Sequence, residues 1–343
     1  MTTGKLRQRW LTSEGQTRLQ RVMRCLQRNL PLSEVPGLGR MSGRWDLRGA
    51  VLSSLKRESR IETEDHAVIL RAGTMTLNRR TLRSIDFSCA DISYSDWCEC
   101  TVEDCLFEET VAREVRITAG HFTDCTFRGA HLRGSYMNRN KGTDSGSFRG
   151  VDFVASDLSG CIFCFPEIES CSFVNCRLIE TDFDGSRFED CAFKGDIESA
   201  WFGGYSVHAV TSFLRVFRRV NPKDFRNRMQ NIDFSECCLK DVLFQNEIDL
   251  SSCRLPKGRN YIVVRNLPAV YNKMRETIVR QWSGEHRQTA MSWIDRALFG
   301  DHKKHMPMDI INRDSTPGHY PENLYARFFD LLERTNREVN AQS

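Results

Sequence analysis

The residues most able to do chemistry are the fourteen cysteines and eight histidines. Cys161 and Cys164, Cys98 and Cys100, and Cys237 and Cys238 form close pairs that invite a zinc reading. Structural zinc needs pairs that converge from separate loops, and the cysteine spacing here does not converge. Asp301, His302 and His305 make a weak metal pattern on a polar stretch. The chain has no phosphate-cradling glycine loop, no Gly-x-Ser-x-Gly elbow, no His-Glu-x-x-His and no dinucleotide fingerprint. No catalytic, cofactor-binding or metal-binding residue is assigned, and the expectation is a chain that is not an enzyme and needs no cofactor.

The cysteines follow a rhythm that points to the element holding them. From Phe87 a large apolar residue recurs every five positions, through Ile92, Trp97, Val102 and Phe107 to Met137. After one slip the series resumes at Phe148 and runs through Phe153, Leu158, Phe163 and Phe173 to Phe193. Two positions before each comes a mostly small residue, such as Ala90, Ser95, Cys100, Cys105, Cys125, Cys161, Cys171, Cys176 or Cys191. A period of five fits neither the 3.6 of a helix nor the 2 of a strand. A solenoid with a corner every five residues puts the small and the large residue inside and leaves three positions to water. Cysteine at the small position is then a packed apolar side chain. His121 and His131 fall at outward positions.

With Ala90-Asp91-Ile92-Ser93-Tyr94, Ser156-Asp157-Leu158-Ser159-Gly160 and Thr181-Asp182-Phe183-Asp184-Gly185 in view, the chain resembles the pentapeptide repeat family. The resemblance implies a mainly β fold, a right-handed quadrilateral β-helix with four pentads per coil, here flanked and interrupted by α-helices. Residues twenty apart should then stack, about 4.8 Å apart by ordinary strand spacing. Phe87, Phe107 and Phe127 would form one column and Phe153, Phe173 and Phe193 another. Cys105 would lie over Cys125 and Cys171 over Cys191, as reduced thiols.

The expected organisation is a helix and linker over 1–40, a first coil or cap over 41–84, the repeat β-helix over 85–195, a helical insertion over 196–231, a further coil over 232–256 and a helical module over 257–343. Ser13 with Gln16 fits a capping box for a helix over 14–29. Asn138–Ser145 reads as a protruding loop, and a helix is expected over 207–220. Tyr271, Met274 and Ile278, then Met291, Ile294 and Leu298, then Leu324, Phe328 and Leu331 give the tail three helix faces.

The net charge of +4 is unevenly spread. Residues 1–84 hold 17 basic and 7 acidic side chains, residues 85–195 hold 10 and 20, and the rest 22 and 18. Asp86, Asp91, Asp96, Asp152, Asp157 and Asp182 occupy the middle position of their pentads and are the candidate acidic interaction surface. The leading expectation is a non-enzymatic scaffold that binds another protein, since solenoids offer extended binding surfaces. The resemblance implies one alternative, because some members of the family are dimers that mimic duplex DNA and bind topoisomerases such as gyrase. It implies a second, a bacterial effector acting on a host protein. A third reading, an enzyme with its site in 257–343, has no local signature. No small-molecule substrate is evident, and a homodimer through the C-terminal helices is the expected assembly. No apolar run reaches the ~18–20 residues of a membrane span, and Met1–Trp10 leads into no apolar signal core. The expected location is the cytoplasm, or a host cell reached without a Sec signal peptide.

Overall fold

The computed structural model describes residues 3–53, 58–62, 67–71, 75–141, 144–183, 185–205, 226–299, 306–314 and 322–341. The chain divides into two compact units, Met1–Asp182 and Phe183–Ser343.

In the first unit, short parallel strands stack into the four sides of a right-handed quadrilateral β-helix. Asp86 pairs with Leu106, Asp91 with Val111, Asp96 with Arg116 and Thr101 with His121, each twenty residues on. The register then lengthens to twenty-six: Thr126 pairs with Asp152, His131 with Asp157, Tyr136 with Ile162 and His121 with Ser147. The six extra residues leave at a single corner after Tyr136–Arg139, so all four sides resume in phase. As a result the two expected phenylalanine columns are one. Phe87, Phe107, Phe127, Phe153 and Phe173 stack in order at 5.2, 4.5, 5.0 and 4.9 Å between ring centroids. Each stacked pair contributes about 0.5–1.5 kcal/mol beyond the area it buries.

The corners explain the pentad. Ala90 N–H donates to the Phe87 carbonyl at 2.9 Å, Ser135 N–H to Leu132 at 3.1 Å and Cys161 N–H to Leu158 at 2.9 Å. The third residue of each of these turns is left-handed: Cys89 at φ 59°, Gly134 at 71° and Gly160 at 65°. Such turns ordinarily call for Gly or Asn there. Here Tyr94, Glu109 and Glu114 also accept a positive φ. What holds them is the neighbouring coil, since Tyr94 N–H donates to the Arg113 carbonyl at 2.9 Å and Glu109 N–H to Arg128 at 2.7 Å.

The small inward position has a second role. Thr110 Oγ1 donates to the Phe87 carbonyl at 2.8 Å, Ser135 Oγ to Ala112 at 2.9 Å and Cys176 Sγ to Phe153 at 3.1 Å. Each reaches a carbonyl twenty-three residues back. Ser, Thr and Cys therefore share one requirement, a small body with one hydrogen to give.

The first coil is split. Trp45 pairs with Ile85 and Val51 with Asp91, while Leu77 pairs with Trp97 and Leu82 with Val102. Between the two halves runs an antiparallel hairpin, Glu58–Glu62 with Ala67–Arg71. Helices α1 (Thr3–Leu11) and α2 (Ser13–Arg28) pack on this coil. Helix α1 was not expected; Leu6 and Trp10 bury its inner face. The N-cap of α2 is Thr12 rather than Ser13, its side chain accepting from Gly15 N–H at 3.0 Å. Several helix contacts end on main-chain groups of the first coil. Trp10 Nε1 donates to the Arg48 carbonyl at 2.8 Å, and Asn29 Oδ1 accepts from Thr81 N–H at 3.4 Å. Arg9 holds Asp46 with both guanidinium nitrogens, at 2.7 and 2.6 Å.

In the second unit, Ala192–Glu198 runs parallel to Asp233–Lys240, and Trp201–Gly203 to Leu243–Gln245. The expected helical insertion over 196–231 is corrected at its start, because residues 196–198 and 201–203 are strand. The helix expected over 207–220 lies outside the described residues. Phe193 stacks on Phe234 at 4.9 Å although forty-one residues separate them. The tail is not all helical: Tyr261–Arg265 pairs antiparallel with Met308–Asn312. Helices α3 (Leu267–Gln281), α4 (Gly284–Phe299) and α5 (Glu322–Asn340) complete it. Val270, Tyr271, Met274, Ile278, Ile294, Leu324, Phe328 and Leu331 are buried.

Candidate interaction surface

The six candidate aspartates lie on three sides of the β-helix rather than in one stripe. Asp86 and Asp152 share the column Asp86, Leu106, Thr126, Asp152, Ser172. Asp91 and Asp157 share the column Asp91, Val111, His131, Asp157, Arg177. Asp96 and Asp182 close the column Asp96, Arg116, Tyr136, Ile162, Asp182. No two of the six are direct neighbours along these columns.

Local bonding accounts for most of them. Asp86, Asp91 and Asp157 each accept the N–H two residues on, at 2.9, 3.0 and 3.1 Å from Ser88, Ser93 and Ser159. This Asx geometry closes a corner, which is why Asp-x-Ser recurs. Asp96 pairs with Arg116 at 2.8 Å, and Asp152 accepts from Ser172 Oγ at 2.6 Å. Other outward charges pair likewise across coils: Arg79 with Glu99 at 2.7 Å, Arg83 with Glu103 at 2.6 Å and Arg149 with Glu169 at 3.0 Å. Part of the charge on the β-helix surface is thus paired between neighbouring coils, while acidic side chains outnumber basic ones by 20 to 10 over residues 85–195.

The thiols are structural. None of the fourteen cysteines is in a disulfide, and ten of them are buried. Burial pushes Cys161 up to about 12 and Cys176 up to about 11. Hydrogen bonding to Cys125 and burial push Cys105 well above the thiol range. Buried thiols raised in this way are poor nucleophiles at neutral pH. Cys253 is half-buried, and burial pushes it up to about 12. Among the described residues, no group of three or more His, Cys, Asp or Glu side chains is placed to hold a metal ion. Asp301, His302 and His305 lie outside the described residues.

One cluster escaped the sequence reading. His121 Nδ1 lies 3.0 Å from Ser147 Oγ, and its Nε2 lies 3.2 Å from Asp144 Oδ2. These are the residue types of a hydrolytic triad. Ser147, however, is only 3% exposed, so its hydroxyl faces the corner rather than a substrate. The cluster ties the six-residue excursion back to the coil. Asn138 does the same from inside: it is fully buried, accepts from Gly120 N–H at 2.7 Å and donates to the Gly120 carbonyl at 2.7 Å. The expected protruding loop therefore starts after Asn138. The twenty-six-residue register is the signal for both, and it is not visible until the columns are aligned.

Two cavities stand out. One of about 350 Å³ in the second unit is lined by Leu239, Val242, Tyr261, Asp309, Asn312 and Tyr325 among others. Its polar groups serve the backbone: Tyr261 Oη accepts from Leu239 N–H at 3.0 Å, Asn312 Nδ2 donates to the Leu239 carbonyl at 2.6 Å, and Asp309 Oδ1 accepts from Ile310 N–H at 2.9 Å. The other, of about 170 Å³, lies between α2 and the first coil.

The family model for pentapeptide repeats matches residues 121–160, in 8 copies. Residues 121–160 carry the pentapeptide repeat. Solved structures similar to this chain include a trypsin-treated variant of QnrB1, a plasmid-mediated fluoroquinolone resistance protein, at 17% identity, covering 53% of this chain and 80% of that one with a TM-score of 0.32. HetL, a pentapeptide repeat protein involved in heterocyst differentiation regulation in the cyanobacterium Nostoc sp. strain PCC 7120, is 11% identical, covering 53% and 81% with a TM-score of 0.26. Rfr23, a pentapeptide repeat protein of the cyanobacterium Cyanothece 51142, is 14% identical, covering 36% and 63% with a TM-score of 0.14. No curated protein matches the chain. No helix among the described residues is long and apolar enough to cross a membrane.

Proposed function

We propose that this chain is a non-enzymatic scaffold whose pentapeptide repeat β-helix presents a rigid outer surface to another protein. One observation carries the reading. The interior is filled by the stacked column from Phe87 to Phe173, so the described β-helix offers a partner its outside. Inter-coil hydrogen bonds hold that outside in fixed register, so a partner would bind it with little ordering cost.

Gyrase binding by DNA mimicry needs a continuous acidic stripe. The separation of the six aspartates and their use in corners and ion pairs favour the general scaffold reading. A homodimer through the C-terminal helices belongs to the same proposal; Val279 on α3 is 42% exposed there, and sedimentation velocity checks it.

The test is capture with full-length protein from bacterial and eukaryotic lysates, followed by mass spectrometry, beside a gyrase supercoiling assay. A discrete stoichiometric partner with no effect on gyrase is the expected result. Protection of gyrase would move the reading to the topoisomerase alternative. Turnover of a substrate by partner-free protein would overturn the scaffold.

A further inference from the structure

The larger cavity, in the second unit, is bordered by three elements. These are the coil at residues 239–244, the antiparallel strand pair at Tyr261 and residues 309–312, and α5 at Tyr325. Its volume of about 350 Å³ falls within the range of small-molecule pockets, about 300–1,000 Å³. Most of its wall is apolar, from Leu239, Val242, Leu243, Phe244, Ile310 and Ile311. The walls are held in place by main-chain bonds. Leu239 N–H donates to Tyr261 Oη at 3.0 Å, and its carbonyl accepts from Asn312 Nδ2 at 2.6 Å. The coil and the strand pair are thereby fixed to each other across the cavity.

The charged part of the wall has one sign. Asp241 and Asp309 supply two carboxyl groups, and among the described residues no Lys, Arg or His lines the cavity. Asp241 is exposed to solvent, whereas Asp309 is only 2% exposed, so the first lies toward the mouth and the second toward the floor. Two tyrosines complete the wall. Burial and, after it, the charge of Asp241 push the Tyr325 phenol up to about 12, and burial raises Tyr261 as well. Both phenols are therefore neutral at pH 7. Their rings add aromatic surface, which attracts cations. An anion entering this space would meet two carboxylates and no counter-charge among the described lining residues.

We propose that this cavity binds a small organic cation, a compact apolar body ending in a primary ammonium group. The apolar wall takes the body out of water, and Asp241 receives the ammonium at the mouth through a charge-assisted hydrogen bond. A ligand seated there touches both the coil and the antiparallel strand pair, so its binding stabilises the packing of one on the other. The inference goes beyond the scaffold reading and does not depend on it.

The test uses the full-length chain and three probes of similar size and different charge: 2-phenylethylamine, 2-phenylethanol and 3-phenylpropionate. Methyl NMR titration gives affinity and location, and thermal melts report the linked stabilisation. The amine is expected to shift the methyls of Leu239, Val242, Leu243, Ile310 and Ile311 and to leave those of Leu77 and Leu82 unmoved. At tenfold its Kd it should raise Tm by about 2–4 °C. The alcohol should bind about tenfold more weakly, because its hydrogen bond carries no charge, and the carboxylate should not bind. Asp241→Asn should bring the amine down to the affinity of the alcohol. Val242→Trp, which fills the cavity from a half-buried position, should abolish binding of both. No saturable binding of the amine, equal affinity for amine and alcohol, tighter binding of the carboxylate, or methyl shifts outside the lining would overturn the proposal. So would undiminished amine binding by Asp241→Asn. None of these readouts involves a protein partner, so their failure leaves the scaffold reading standing.

Discussion

Some arginines of the β-helix are held in a way that those of α2 are not. On the β-helix, Arg79, Arg83 and Arg116 each meet a carboxylate one coil away in register, at Glu99, Glu103 and Asp96, while Arg113, Arg128 and Arg133 make no ion pair among the described residues. On α2, Arg21, Arg24 and Arg28 are neighbours of one another, and no acidic side chain is four residues away to neutralise them. A parallel stack aligns every residue with the one twenty positions on, so complementary charges can be written into the sequence in advance. Helix α2, packed on the end of the stack, has no such partner column.

That contrast can be broken at several levels. The largest effect should come from the interior. Phe153→Ala removes a ring stacked on both Phe127 and Phe173 and should cost about 3–5 kcal/mol in urea unfolding, whereas Glu169→Ala on the outside should cost little. Equal small losses would mean the column does not carry the fold.

Next comes the junction between α1 and the first coil. Asp46 is mostly buried, which by itself would raise its pKa. Hydrogen bonds from Arg9 and Arg48 outweigh that and hold it well below the usual carboxylate range. Asp46→Asn should cost about 2 kcal/mol at pH 7, less than a fully buried pair because the site is partly open. Because the folded pKa is depressed, this stabilisation is present above the unfolded value near 4 and fades as pH falls through the folded one. Unfolding curves of wild type and variant should therefore converge in acid, and a gap that widens there would refute the assignment.

A smaller effect tests the corners. A Cβ on Gly134 would meet Glu114 Cγ at an ordinary 3.5 Å, so only the left-handed φ of 71° opposes a side chain. Gly134→Ala should cost about 1 kcal/mol by thermal melts; a stabilised variant would show that the turn tolerates another geometry. The smallest effect belongs to the matched charges. Arg116→Gln should change stability by no more than about 0.5 kcal/mol, and the Arg24→Glu, Arg28→Glu double variant by a similar amount. A larger loss for the α2 variant would mean its arginines serve the fold after all.

The β-helix was legible because its signal repeats. Phe87, Phe107 and Phe127 declare a period that no helix or strand shares. What stayed hidden depended on alignment in space. The union of two phenylalanine columns required knowing that six extra residues leave at one corner. Asn138 and the His121–Ser147–Asp144 cluster become meaningful only beside that corner. The split first coil keeps its phase at Trp45 and Leu47, but nothing in residues 53–75 announces that the other half returns at Leu77. Helix α1 was missed because its nine residues hold only three large apolar side chains, of which Leu11 is exposed, and Trp10 is anchored by a carbonyl far along the chain. The candidate aspartates were visible as a pattern. Their use was not, since an Asx turn and an ion pair look the same in a one-dimensional string. The charge of α2 was legible, and the cavity beside it was not, because Trp45, Leu82 and Ile85 reach it only after folding.

The contacts of Trp10 with the Arg48 carbonyl and of Asn29 with Thr81 N–H have one more consequence. A stack of parallel coils has no natural last member: the free rim of each coil is a template for another, including the final coil of a neighbouring molecule. Side chains of the N-terminal helices occupy part of that rim, so the first coil cannot seed a second chain. They close the stack at this end, and a chain deprived of α1 and α2 is expected to associate through its exposed first coil into larger species visible by sedimentation velocity.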